Sequence, residues 1–153
     1  MARPLLLVED NEDDIFFMEH AMKKAGIDNP LAIAKDGREA IELLERALGG
    51  NLSDIPVPRL ILLDLKLPRV PGLDVLKWIR GNSRLKTVPV LVLTASKQDQ
   101  DVEAAYNLGA NSFFTKPANT DTQLTGSFSI GLRLFSIANT HAAEATSSRA
   151  AIP

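Results

Sequence analysis

The chain has 153 residues, 45% of them apolar and 24% charged, and no cysteine. One domain of that length buries enough apolar surface to fold without a metal or disulfide staple, and it leaves no room for two independent cores. Seventeen basic against nineteen acidic residues, a net charge of −2, make no electrostatic case for nucleic acid or an anionic membrane as partner.

The first apolar run, Leu5 to Val8, is too short for a signal-peptide core or a membrane span, so a cytoplasmic protein is expected. It reads as a strand, followed by a segment of helical period through Ile15, Met18, Met22 and Ala25, with Asn11 as cap, Asp13 and Asp14 in the first turn and Gly26 as stop. A second strand, Leu31 to Ala34, leads to a helix from about Gly37 to Leu48, for which Asp36 and Glu39 resemble a capping box. A Gly-, Pro- and Asn-rich loop over about 49–58 precedes a third strand, Leu60 to Leu63, and a helix from about Leu73 to Arg80. A fourth strand, Val90 to Leu93, a helix from about Asp99 to Leu108 and a fifth strand, Ser112 to Thr115, complete the alternation. All five runs read as strands buried on both faces, and strict strand–helix alternation predicts a doubly wound parallel α/β sheet with right-handed crossovers.

After Pro117 the pattern changes: Asp121, Arg133, Glu144 and Arg149 are the remaining charges, and Ser, Thr, Gly126 and Gly131 lower helix propensity. Two apolar patterns compete there, Leu124, Phe128, Leu132 and Phe135 at helical spacing, or Phe128, Ile130, Leu132 and Leu134 in alternation. The division expected is a domain over 1–117 and, over 118–153, an atypical C-terminal arm in place of a regular fifth helix. That arm is expected to carry its apolar residues into a homodimer and to end disordered.

In an open parallel sheet the ligand site lies at the carboxyl ends of the strands. Here those ends carry Glu9-Asp10, Asp64, Thr94-Ala95-Ser96 and Lys116-Pro117. Adjacent first and third strands bring three carboxylates together, an all-oxygen cluster suited to hydrated Mg²⁺. A lysine and a threonine hydroxyl beside it supply donors for an anion's oxygens, as a phosphoryl group requires.

The segments Leu7-Val8-Glu9-Asp10-Asn11, Leu62-Leu63-Asp64-Leu65-Lys66-Leu67-Pro68, Leu93-Thr94-Ala95-Ser96 and Phe114-Thr115-Lys116-Pro117 together resemble the receiver domain of two-component response regulators. The likeness runs over residues 5 to 117, and within the family it is strongest to single-domain regulators that serve bacterial phytochrome histidine kinases. It implies a flavodoxin-like five-stranded sheet in the order 2-1-3-4-5 and a phosphoacceptor switch rather than a turnover enzyme. In this resemblance Asp64 is the nucleophile that takes a phosphoryl group from a kinase histidine. Asp10, Asp64 and the Lys66 carbonyl hold Mg²⁺, and Glu9 reaches it through water. Lys116 pairs with the phosphoryl oxygens, and Thr94 and Phe113 form the switch. Lys66 stands where Asn is frequent, and Phe113 where Tyr is better known. Two other functions compete: an Mg²⁺-dependent phosphatase with an aspartyl nucleophile, which lacks its second acid because position 66 is lysine, and an adaptor that is never phosphorylated. His20 reads as a solvated helix residue, Trp78 and Tyr106 as packing, and Phe16 and Phe17 as either partner anchors or cover for the sheet edge.

Overall fold

A computed structural model of the chain describes residues 3–49, 55–95, 100–116, 129, 131–133 and 135. In chain order the elements are β1 (Leu5–Val8), α1 (Glu12–Lys24), β2 (Leu31–Ala34), α2 (Gly37–Ala47), β3 (Leu60–Asp64), α3 (Gly72–Gly81), β4 (Val90–Thr94), α4 (Gln100–Asn107) and β5 (Ser112–Thr115). All strand pairs are parallel, in the order β2-β1-β3-β4-β5. The crossover helices make the parallel pairing possible, because parallel neighbours cannot be joined by a hairpin.

The two-residue period of each strand divides the interior. Leu6, Val8, Ile61, Leu63, Val90 and Val92 face one side, where Ala40 and Leu44 of α2, Val75, Leu76 and Ile79 of α3 and Ala105 of α4 cover them. Leu5, Leu7, Leu60, Leu62, Leu91 and Leu93 face the other side, against Ile15, Met18, Ala21 and Met22 of α1. β1, β3 and β4 are buried throughout, whereas β2 and β5 are only partly buried. The expectation of five strands buried on both faces is corrected for these two. They are the sheet edges, each with a neighbour on one side only.

Local signals set the helix ends. The Asn11 side chain accepts from the Asp14 N–H at 3.0 Å, and Asp36 accepts from the Glu39 N–H at 2.7 Å. Glu39 reaches back to the Lys35 N–H at 3.2 Å, one residue before the cap rather than the cap itself. The Arg80 side chain ties α3 to the connections that lead into β4 and β5, donating to the carbonyls of Val88 and Gly109 and to Asn111 Oδ1.

In the tail, Ser129, Gly131, Leu132, Arg133 and Phe135 have helical backbone. Leu132 is fully buried among the side chains of the α1 face, and Phe135 meets Phe114 edge-on at 6.3 Å between ring centres. At these positions the chain covers its own sheet in the helical one of the two competing patterns, a choice that the apolar spacing leaves open. Packing overrides propensity here: a Cβ at Gly131 would lie 3.2 Å from the Phe114 ring, so the glycine that weakens the helix also lets it approach. Phe128, Ile130, Leu134 and the end of the tail lie outside the described residues.

Gly72 opens α3 directly behind the β3 terminus. A Cβ there would strike the Asp64 carbonyl and lie 2.6 Å from Leu65 Cα. Gly72→Ala is expected to lower stability by about 2 kcal/mol, the overpacking cost exceeding the alanine's helical gain, as denaturant unfolding would show.

Candidate functional site

The strand register sets the site. β1 and β3 pair with Val8 opposite Leu63, so the next residues along each strand, Glu9-Asp10 and Asp64, emerge together at the carboxyl edge of the sheet. One oxygen from each of Glu9, Asp10 and Asp64 can be chosen so that all lie within 4.8 Å of one another. Glu9 is 1% exposed and Asp64 is buried, whereas Asp10 faces solvent. β4 and β5 pair with Thr94 opposite Thr115, and the Lys116 N–H donates to the Thr94 carbonyl at 2.7 Å. That bond carries the chain across the strand ends and sends the Lys116 side chain into the acidic cluster.

Lys116 Nζ lies 2.6 Å from Glu9 Oε2, 2.9 Å from Asp14 Oδ2 and 3.2 Å from Asp64 Oδ2. Glu9 Oε1 accepts from the Asn11 N–H, and Asp64 Oδ1 accepts from the Lys66 N–H, both at 3.2 Å. Each buried carboxylate therefore has one oxygen held by backbone and one by the ammonium. Of the residues singled out in the sequence, Glu9, Asp10, Asp64 and Lys116 converge at this edge. Lys66 is exposed on the following loop, with its N–H on Asp64. Thr94 is buried at the end of β4. Phe113 is partly buried against the face covered by α2, α3 and α4 and meets Tyr106 edge-on at 5.8 Å. Sequence reasoning places Asp14 in the first helical turn and misses its contact with Lys116. A carboxylate three residues beyond a cap gives no sequence sign of a partner 102 positions away.

Of the aromatic alternatives, Phe16 is 72% exposed, whereas Phe17 packs on the α1 face. His20 is exposed, as read. Among the described residues no helix is long and apolar enough to cross a membrane.

Burial raises the Glu9 carboxyl from the ordinary 4.5 to about 7; the hydrogen bond from Lys116 opposes this only in part, and the nearby charge of Asp64 adds to it. For Lys116, burial alone would lower the ammonium. Its hydrogen bonds to Glu9 and Asp14 and the charge of Asp64 outweigh burial and hold it above its usual value.

The Glu9 shift fixes a sign. Between about 4.5 and 7 the folded chain binds more protons at Glu9 than the unfolded chain, so its contribution to stability falls as pH rises through that window. The ligand-free protein is expected to lose stability from pH 5 to 7.5, with a slope approaching about 1.4 kcal/mol per pH unit. Millimolar Mg²⁺ is expected to flatten or reverse that slope, since a cation favours the ionised form. Urea unfolding over that range, with and without Mg²⁺, checks both.

The donor set fits a divalent ion. Three carboxylates supply hard oxygens, one of them open to solvent for bound water, and among the described residues no histidine joins them. Such an arrangement, with a lysine at its side, has the chemistry to hold a cation and an oxyanion together.

A family model described as the response regulator receiver domain matches residues 5–126. Response regulator Rcp1 of Synechocystis sp. is 42% identical over 115 residues, which is 75% of this chain and 77% of that protein. Among solved structures, the phosphorylated cyanobacterial phytochrome response regulator RcpA matches with a TM-score of 0.77 and 32% identity, over 90% of this chain and 95% of its own. The Mn²⁺-bound form of Rcp1 matches with a TM-score of 0.75 and 38% identity, over 87% and 93%.

Proposed function

The chain belongs to the response regulator receiver family, with phytochrome response regulators among its relatives, and on that footing we propose that it is a switch phosphorylated on Asp64 by a bacteriophytochrome histidine kinase. A histidine kinase as partner follows from the family; the phytochrome class is our reading, supported by the likeness to the phytochrome response regulator RcpA. The observation that carries the assignment to Asp64 is the ammonium of Lys116 at 3.2 Å from its carboxylate, inside an acidic cluster at the carboxyl edge of the sheet.

Phosphoryl transfer needs positioning and charge neutralisation more than covalent help from the protein. In the step proposed, an Asp64 oxygen forms a bond to phosphorus as the bond to the kinase imidazole breaks, and the imidazole nitrogen keeps the electron pair. Glu9, Asp10, Asp64 and the Lys66 carbonyl would hold Mg²⁺, which when bound neutralises charge on the phosphoryl oxygens. The ion bound to Rcp1 is Mn²⁺; Mg²⁺ for this chain rests on the hardness and small number of the oxygen donors. The Lys66 N–H fixes the rotation of the Asp64 carboxylate. Lys116 gives up its bond to Asp64 for one to a phosphoryl oxygen. Thr94 donates its hydroxyl to the phosphate, and the movement of Thr94 lets Phe113 leave its contact with Tyr106 and turn inward.

The chain acts in this reading as a phosphoacceptor in the cytoplasm and not as a turnover enzyme. Position 66, where a phosphatase with an aspartyl nucleophile would carry its acid, holds a lysine exposed to solvent. Incubation with acetyl phosphate and Mg²⁺ tests the proposal: one acid-stable, base-labile phosphoryl group per chain is expected, and continuous release of phosphate from simple esters would favour the enzyme instead.

A further inference from the structure

An ammonium has three N–H donors, and those of Lys116 face three carboxylates, Glu9, Asp14 and Asp64. Two of the three also belong to the oxygen cluster that fits a divalent cation; Asp14 does not. Asp14 comes from a rigid element. It lies in the first turn of α1, and its N–H is held by the Asn11 cap at 3.0 Å. Its side chain is 40% exposed, so it reaches Lys116 from the solvent side of the site. A cation held there would draw on the charge of Glu9 and Asp64 and would leave that of Asp14 to the lysine.

Resting on the receiver reading above, we propose that Asp14 is the positioning residue of Lys116, anchoring the ammonium beside Asp64 independently of the cation and sharing its positive charge. Two effects of opposite sign follow. A lysine partly neutralised by Asp14 repels an incoming divalent cation less, so Asp14 favours Mg²⁺ binding. The same sharing weakens the hold of Lys116 on an anion, so Asp14 opposes capture of the phosphoryl group.

The test measures two affinities by calorimetry on the full chain: that for Mg²⁺ alone, and that for beryllofluoride, an acyl-phosphate mimic, at saturating Mg²⁺. Asp14→Asn is expected to weaken Mg²⁺ and strengthen beryllofluoride, each by about two- to fivefold, the size set by a half-exposed ion pair. Asp13→Asn removes the same charge one residue away on an exposed position of the same turn, and is expected to move both by less than half as much. In a Lys116→Met background Asp14→Asn should do no more than Asp13→Asn. Equal effects of the two aspartates, or an Asp14 effect that persists without the lysine, would overturn the assignment. Binding of Mg²⁺ without any beryllofluoride by the unsubstituted chain would bring down the receiver reading itself, and this inference with it.

Discussion

Asp64→Asn is expected to abolish labelling by acetyl phosphate in Mg²⁺, a loss on the order of a thousandfold or more, because the amide is no nucleophile toward phosphorus. The fold should survive the change. Asp64 is buried beside Glu9, whose own carboxyl is raised first by burial and further by the Asp64 charge. Removing that charge relieves repulsion inside the cluster, while Lys116 keeps Glu9 at 2.6 Å and Asp14 at 2.9 Å. The variant should therefore be at least as stable as the parent without Mg²⁺ and gain less stability when Mg²⁺ is added. This pairing of results separates loss of the acceptor from loss of the structure. A base-labile label that persists in Asp64→Asn would place the acceptor elsewhere and overturn the assignment.

Lys116→Met is expected to separate phosphorylation from the response to it. The substitution keeps the length and removes the charge that neutralises Glu9 and Asp64, whose side chains are 1% and 9% exposed. Leaving buried carboxylates without their cation destabilises strongly, and protonation of Glu9 absorbs part of that cost. The net loss is expected to be about 2–3 kcal/mol at pH 7.5 without Mg²⁺, shrinking both at pH 5 and on addition of Mg²⁺. Labelling of Asp64 should remain measurable because the acceptor and the cation's oxygens are intact. The accompanying change near Phe113 and Tyr106, followed by Tyr106 fluorescence or by nuclear magnetic resonance of the ring protons, should be lost. A full conformational response in this variant would remove Lys116 from the switch.

These expectations trace back unevenly to the sequence. The apolar runs and their spacing were enough for five strands and four helices, because burial on a parallel sheet demands continuous apolar segments and the helix caps act within three or four residues. Asn11 and Asp36 are caps that could be read directly, and both hold in the structure. Strand-end carboxylates were legible for the same reason: a residue that comes directly after a strand must lie at its carboxyl edge, and parallel pairing brings Glu9, Asp10 and Asp64 to one edge.

Three features took tertiary structure to decide. The partial burial of β2 and β5 depends on which strands end up at the edges, a property of order in the sheet and not of the strands' own residues. The helical backbone at Leu132 and Phe135 reflects a sheet face that rewards burial more than glycine and serine penalise the helix. The third is Asp14 on Lys116, a contact between residues 102 positions apart. Local patterns record the interactions a segment makes with itself, so they foretell strands, caps and the ends of strands. Ion pairs across the sheet depend on where distant side chains arrive, and that is settled only when the whole chain closes around its core.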